Sequence, residues 1–226
     1  MRRKESEFKT IFFSKSGTQK INNDYFGYVQ LDNYAIWVIA DGYDGEEGAN
    51  IASKLSVESV IEYFTAHPRF NKEVIKELFK YTNDTIKQKQ EEMERYSLMH
   101  TSLLIVISNY NKILYGNIGN TRLYHIQGGY IVNQSSDDSV SQLLVQERAL
   151  DIKDIKSHRQ RNDLLQAIGD YSKVKPTISN EIKLLEGDKI CLTTRGIWEN
   201  IDEHEIEVEL SKFPERELWI DSIKRK

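Results

Sequence analysis

The sequence predicts an α+β domain in which antiparallel sheets carry their helices on the outside, and three observations lead there. Strand-type runs come in groups joined by tight turns, and helix-type runs come in pairs between those groups. The strict strand–helix alternation that marks a parallel sheet is missing. Only three prolines, Pro68, Pro176 and Pro214, and twelve scattered glycines leave no stretch with the composition of a linker, so residues 1–226 read as a single domain.

The elements follow in order. From Tyr25 to Ala40 the segments YFGYVQL and YAIWVIA, rich in aromatic and β-branched residues, flank the turn-like Asp32-Asn33 and predict a hairpin. Between Gly48 and Phe64 the period changes, with Ala52, Leu55, Ser56, Ser59, Val60 and Tyr63 three and four residues apart, as on one helix face. A longer helix over Asn71 to Arg95 starts at a capping asparagine and carries Val74, Ile75, Leu78, Phe79, Thr82 and Ile86 on one stripe. Its charged tail KQKQEEMER reads as a solvated face. Short β-type runs then cover Thr101 to Ser108, Lys112 to Ile118, Thr121 to Gln127 and Tyr130 to Asn133, the last pair joined by the hairpin signal Gly128-Gly129. Helices are predicted over Ser139 to Arg148 and Asn162 to Ile168, strands over Ile178 to Leu185 and Lys189 to Thr194 around Glu186-Gly187-Asp188, and a helical tail from Asp202.

Composition excludes several functions. At 226 residues, 39% of them hydrophobic, the chain should bury roughly 70–75% of its unfolded surface and needs no staple. Lys and Arg number 31 against 35 Asp and Glu, a net charge of −4, and the charges are interspersed. No field gathers nucleic acid or membrane surface, so neither is expected as a partner. The lone Cys191 allows no internal disulfide, lies in an apolar strand and reads as a buried structural thiol. No apolar run has the length of a signal peptide or a span, and a reducing, cytoplasmic location is expected. The five histidines, His67, His100, His125, His158 and His204, never recur at helical metal-pair spacing, and no P-loop, nucleophile elbow or dinucleotide fingerprint is present.

The segment ADGYDGEEGA, Ala40 to Ala49, stands out, because four acids, Asp41, Asp44, Glu46 and Glu47, crowd the junction of an apolar strand and a helix. Hard carboxylate oxygens on a glycine-loosened turn suit Mg²⁺ or Mn²⁺, with carbonyls of Gly42 or Gly45 as further donors. The same acids also suit the positive end of a helix. Spread along the chain, seven local patterns then fall in one order: Asn22-Asn23-Asp24; Ala40-Asp41-Gly42 with Ala52-Ser53; His100-Thr101-Ser102-Leu103; Asn117-Ile118-Gly119-Asn120-Thr121-Arg122-Leu123-Tyr124; Ser135-Ser136-Asp137-Asp138-Ser139; Leu164-Leu165-Gln166-Ala167-Ile168-Gly169; and Gly187-Asp188 followed by Thr194-Arg195-Gly196-Ile197-Trp198-Glu199. Each is weak alone. In that order they resemble the type 2C, metal-dependent serine/threonine protein phosphatases of bacterial type, over nearly the whole chain.

The resemblance implies a four-layer α-β-β-α sandwich, two antiparallel sheets flanked by helix pairs. It also implies a centre in which two metal ions bridged by an aspartate activate a water against a phosphoryl group. In that scheme Asp41 is the bridging ligand, the Gly42 carbonyl serves the second metal and Asp24 is the acid near it, so catalytic and metal roles fall on Asp41, Gly42 and Asp24. Lys20 and Arg122 are the phosphate-binding candidates. The departures are as specific as the matches. Arg195 replaces a first-metal aspartate and has no lone pair to give; Asn120 replaces an acid of a third site, Glu46 a histidine, and Gln19 the arginine that grips phosphate. The domain is expected to lack the family's last C-terminal strand and, with it, the last metal aspartate.

Two expectations for Arg195 follow: a guanidinium fork on Asp41 in the place of the first metal, or a solvated side chain pointing away. Two functions follow as well. One is a pseudophosphatase, with Mg or Mn at one site at most or none, that binds a protein or phosphoprotein partner in signalling, fused to or beside another signalling module. The other is an active metal-dependent phosphatase using one metal or a shifted site of Asp24, Asp41, Asp44 and Glu46.

Overall fold

The computed structural model describes residues 7–43, 45, 47–170 and 173–226. Two antiparallel sheets organise it. Strands β1 (Asp24–Gln30), β2 (Ala35–Gly42), β3 (Thr101–Ser108), β4 (Lys112–Ile118) and β7 (Thr177–Ile178) lie side by side in that order, and β8 (Ile182–Lys183) also pairs with β4. The second sheet has the order β6 (Tyr130–Gln134), β5 (Arg122–Gln127), β9 (Lys189–Thr193). Helices α1 (Ala49–Ala66) and α2 (Lys72–Glu92) cover the first sheet, and α5 (Glu203–Lys212) and α6 (Arg216–Ile223) cover the second.

Alternation along the strands builds the layers. On β2 and β3, Ile36, Val38, Ala40, Leu103, Ile105 and Ile107 face the helices and join Val60, Phe64, Leu78 and Phe79 in the largest apolar cluster. The intervening residues Trp37, Ile39, Leu104 and Val106 face the other sheet and meet Leu123 of β5 and Ile190 and Leu192 of β9. The far side of the second sheet, through Tyr124 and Ile126, packs on Ile206, Leu210, Trp219 and Ile223. The expected α-β-β-α order is therefore the observed one.

Alternation also fixes where polar residues end up. Continuing the Trp37, Ile39 series puts Asp41 on the face between the sheets, at the last turn of β2. Asp24 is its register partner on β1 and shares that face. Gly42 allows the strand to run against α1, since a Cβ there would stand 2.2 Å from the Ala49 carbonyl oxygen. The Gly128-Gly129 turn has both residues at positive φ, as the hairpin signal requires.

Several elements differ from expectation. Residues 162–168 are not a helix: Leu164 bridges to Ser139, and Ile168 bridges to Thr101. Instead of one strand over Ile178 to Leu185, the chain makes the two-residue pieces β7 and β8, interrupted where the Ser179 N–H turns back to the Tyr115 carbonyl. The helix expected from Ser139 is shorter, α3 (Val140–Gln146), with Ser139 as its cap. A short helix not foreseen, α4 (Arg195–Trp198), follows β9. No acid occupies the first turn of α1, and Glu47 lies directly before its N-cap, Gly48.

Candidate functional site

A cleft of about 110 Å³ opens at the end of the space between the sheets. Its wall is Asp41, Gly42 and Tyr43 from the end of β2, Ser102 from β3, and Asn120 from the turn before β5. Arg195 at the start of α4 and Asn162 with Leu164 from the loop before β7 close it. Asp24 stands beside Asp41 through the β1–β2 register.

The loop leaving β9 ties the second sheet to the acids of the first. The Thr194 hydroxyl donates to Asp24 Oδ2 at 2.7 Å, and the Arg195 N–H donates to Asp41 Oδ2 at 3.2 Å. The Arg195 guanidinium turns into the cleft, where Nη1 donates to Asn162 Oδ1 at 3.4 Å and lies 3.7 Å from Glu199 Oε2. Its side chain is 23% exposed, so it is neither the solvated arginine nor a plain fork on Asp41: the main chain serves Asp41 and the guanidinium serves its neighbours. Glu199 also accepts from Arg161 Nε at 3.2 Å, adding a second arginine.

Asn120 is buried behind Asp41. Ser102 Oγ donates to its side-chain oxygen at 3.1 Å, and the Trp198 indole N–H donates to its carbonyl at 2.7 Å. On the other rim the Tyr43 ring lies against His100, with centroids 4.5 Å apart, and the Tyr43 N–H donates to the His100 carbonyl.

Arg122 requires a correction. It lies in the scaffold, away from the cleft wall, with Nε and Nη2 in a fork on Asp137 at 2.8 and 2.7 Å and the guanidinium stacked 3.7 Å over the Trp198 ring. Only 7% of its side chain and 2% of that of Asp137 are exposed, so a phosphate would have to break a buried ion pair to reach it. Gln19 and Lys20 are exposed in the turn before β1 and do not line the cleft. Asp44 and Glu46 lie outside the described residues. Cys191 is half-buried against the apolar cluster of the second sheet rather than inside it, and desolvation pushes its thiol up to about 12.

Thr194 joins the site from the head of its local pattern, whereas Asn162 and Arg161 carry no signal of their own, coming from a segment whose expected helix the structure replaces with irregular chain.

Among the described residues no group of three or more His, Cys, Asp and Glu side chains is arranged to hold a metal. Arg195, whose N–H meets Asp41, ends in a guanidinium, which has five N–H donors and no lone pair. The donors among the described residues do not by themselves make up a two-ion centre, although Asp24, Asp41 and the Gly42 carbonyl supply hard oxygens of the kind one Mg²⁺ or Mn²⁺ takes.

Fold and site together define a phosphatase-type sandwich with an acid-lined cleft at the strand ends. The chain belongs to the protein phosphatase 2C family, whose model matches residues 14–216. It is 27% identical over 195 residues to protein phosphatase PhpP of Streptococcus pneumoniae, covering 84% of this chain and 79% of that protein. It is 23% identical over 210 residues to the serine/threonine phosphatase stp of Listeria monocytogenes, covering 89% and 81%. In fold it is similar to serine/threonine phosphatase Stp1 from Staphylococcus aureus, with a TM-score of 0.88, 22% identity and coverage of 100% of this chain and 91% of that one. It is also similar to the catalytic domain of PstP in complex with two manganese ions, with a TM-score of 0.77, 20% identity and coverage of 92% and 85%. Among the described residues no helix is long and apolar enough to cross a membrane.

Proposed function

We propose that this phosphatase 2C domain has a reduced metal site and acts in signalling as a pseudophosphatase that binds a protein or phosphoprotein. One observation supports the reading: Arg195, whose main-chain N–H donates to Asp41, lines the cleft with a side chain that has no lone pair to give a first ion. In this proposal Asp41, Asp24 and the Gly42 carbonyl hold at most one Mg²⁺ or Mn²⁺. Asn120 contributes a neutral amide where an acid would strengthen a site, and Lys20 is the remaining phosphate-gripping candidate, with Gln19 beside it. We also place the domain in the cytoplasm, fused to or encoded beside another signalling module, with neither nucleic acid nor membrane as partner.

The register pairing of Asp24 with Asp41 supports a second reading, an active metal-dependent serine/threonine phosphatase. The names of the relatives from Streptococcus and Listeria point the same way. Loss of the acid now occupied by Arg195 removes water activation as well as affinity, and this weighs toward the silent protein. Hydrolysis of p-nitrophenyl phosphate with Mn²⁺ decides between them when the natural protein is compared with Asp41→Ala. The expected result is no Mn²⁺-dependent turnover by either; turnover that the substitution abolishes would establish the active enzyme.

A further inference from the structure

We propose that Arg195 is the resident cation of the cleft, neutralising the acids and joining the segments that an ion would otherwise join. The inference rests on the reduced-site reading and specifies what fills the reduced site. Three pieces of chain meet there. Asp41 at the end of β2 accepts the Arg195 N–H at 3.2 Å; the guanidinium reaches Asn162 at 3.4 Å and Glu199 at 3.7 Å. Glu199 accepts from Arg161 at 3.2 Å. Because 161 and 162 are consecutive, these contacts close a ring between α4 and the loop, to which the Arg195 N–H fastens the strand end.

Charge makes the ring interdependent. Asp24, Asp41 and Glu199 bring three negative charges, and Arg161 and Arg195 bring two positive ones. With Arg195 neutral, Arg161 is the cation left to oppose these three carboxylates among the described residues of the ring. The Arg195 and Glu199 side chains are 23% and 19% exposed, so solvent and salt screen them less than a surface pair. A divalent cation would then restore what the guanidinium supplies. In the natural protein an entering ion would instead meet a fixed positive charge with no donor to offer.

The inference is tested on the full chain with Mn²⁺ itself as probe, by calorimetric and electron paramagnetic resonance titration alongside melting in chelator and in Mn²⁺. The natural protein should bind one Mn²⁺ at most, and weakly enough that its melting temperature barely differs between the two buffers. Arg195→Gln should melt lower in chelator, recover in Mn²⁺, and bind Mn²⁺ at least about tenfold more tightly, the least that removing a nearby like charge is worth. Arg195→Lys, which keeps the charge, should stay indifferent to chelator and carries the test if the glutamine variant does not fold. Two Mn²⁺ bound by the natural protein, unchanged affinity in Arg195→Gln, or tight Mn²⁺ binding by Arg195→Lys would overturn the proposal. Asp41-dependent hydrolysis with a single Mn²⁺ would overturn the pseudophosphatase reading and leave Arg195 in this role.

Discussion

Arg122 and Arg195 put the same guanidinium to different uses. Arg122 is enclosed by the Asp137 fork and the Trp198 ring, and Trp198 in turn donates to the Asn120 carbonyl, so the fork braces the back of the cleft. Removing Asp137 leaves the buried Arg122 guanidinium with the longer contact to Glu203, at 3.5 Å, as its remaining ion pair among the described residues. Asp137→Ala is therefore expected to lower the free energy of unfolding by about 3–5 kcal/mol, while Asp137→Asn, which keeps the shape and one acceptor oxygen, should lose less; urea denaturation of both variants checks the order. A similar loss in the two would show that the charge pairing carries little. Residue-level legibility divides along the same line. Asp41, Gly42, Asn120 and Arg195 could be read from the sequence because each sits inside a local pattern. The burial of Arg122 could not, since its partner Asp137 and its stacking partner Trp198 come from distant segments, and only the fold shows that the charge is already matched.

Elements were legible in proportion to how much of their pattern is their own. Helices α1 and α2 have long stripes at three- and four-residue spacing, and a capping Asn71 whose side chain accepts from the Val74 N–H, so their existence and face were readable. Residues 162–168 offer only a few apolar positions, a length at which helix and irregular chain look alike. There the bridges to Ser139 and Thr101 decided, through partners the segment does not contain. The turn between β8 and β9 was readable from Glu186-Gly187-Asp188, but its fastening was not. Asp188 Oδ2 accepts from His125 Nε2 and Gln127 Nε2 on β5, each at 2.9 Å, and from the Leu185 N–H at 2.8 Å. Burial opposes the charged form, yet the bonds from Gln127, Leu185 and His125 outweigh it and hold the carboxyl below its ordinary 3.8. A depressed acid contributes its stability in full above the unfolded value and loses it as pH falls through the folded one. Stability measured by denaturant titration should thus fall less steeply in Asp188→Asn than in the natural protein as pH drops below about 4; parallel slopes would place the acid-sensitive group elsewhere.

At the scale of the whole molecule, the order of layers followed from the sequence, but the coupling between layers did not. A chain of 226 residues is large enough for partly folded states to accumulate. The contacts between the sheets argue against that here. Leu104 and Val106 of the first sheet share one apolar cluster with Leu123, Ile190 and Leu192 of the second. At the open end of that cluster the chain leaving β9 donates from Thr194 and Arg195 to Asp24 and Asp41. Unfolding the second sheet would expose the inner face of the first and strip both acids of these donors, so neither sheet has a low-cost way to open alone. The tryptophans are placed to report this: Trp37 lies at the layer between the sheets, and Trp219 between the second sheet and α5–α6. In variants keeping only one of the two, with Trp198 and the other changed to Phe in both, fluorescence and far-ultraviolet dichroism should give coincident urea midpoints. A Trp219 transition well ahead of the dichroism would instead show the outer helix pair and second sheet detaching as a separate unit. The cleft between the sheets would then be assembled last in folding and lost first.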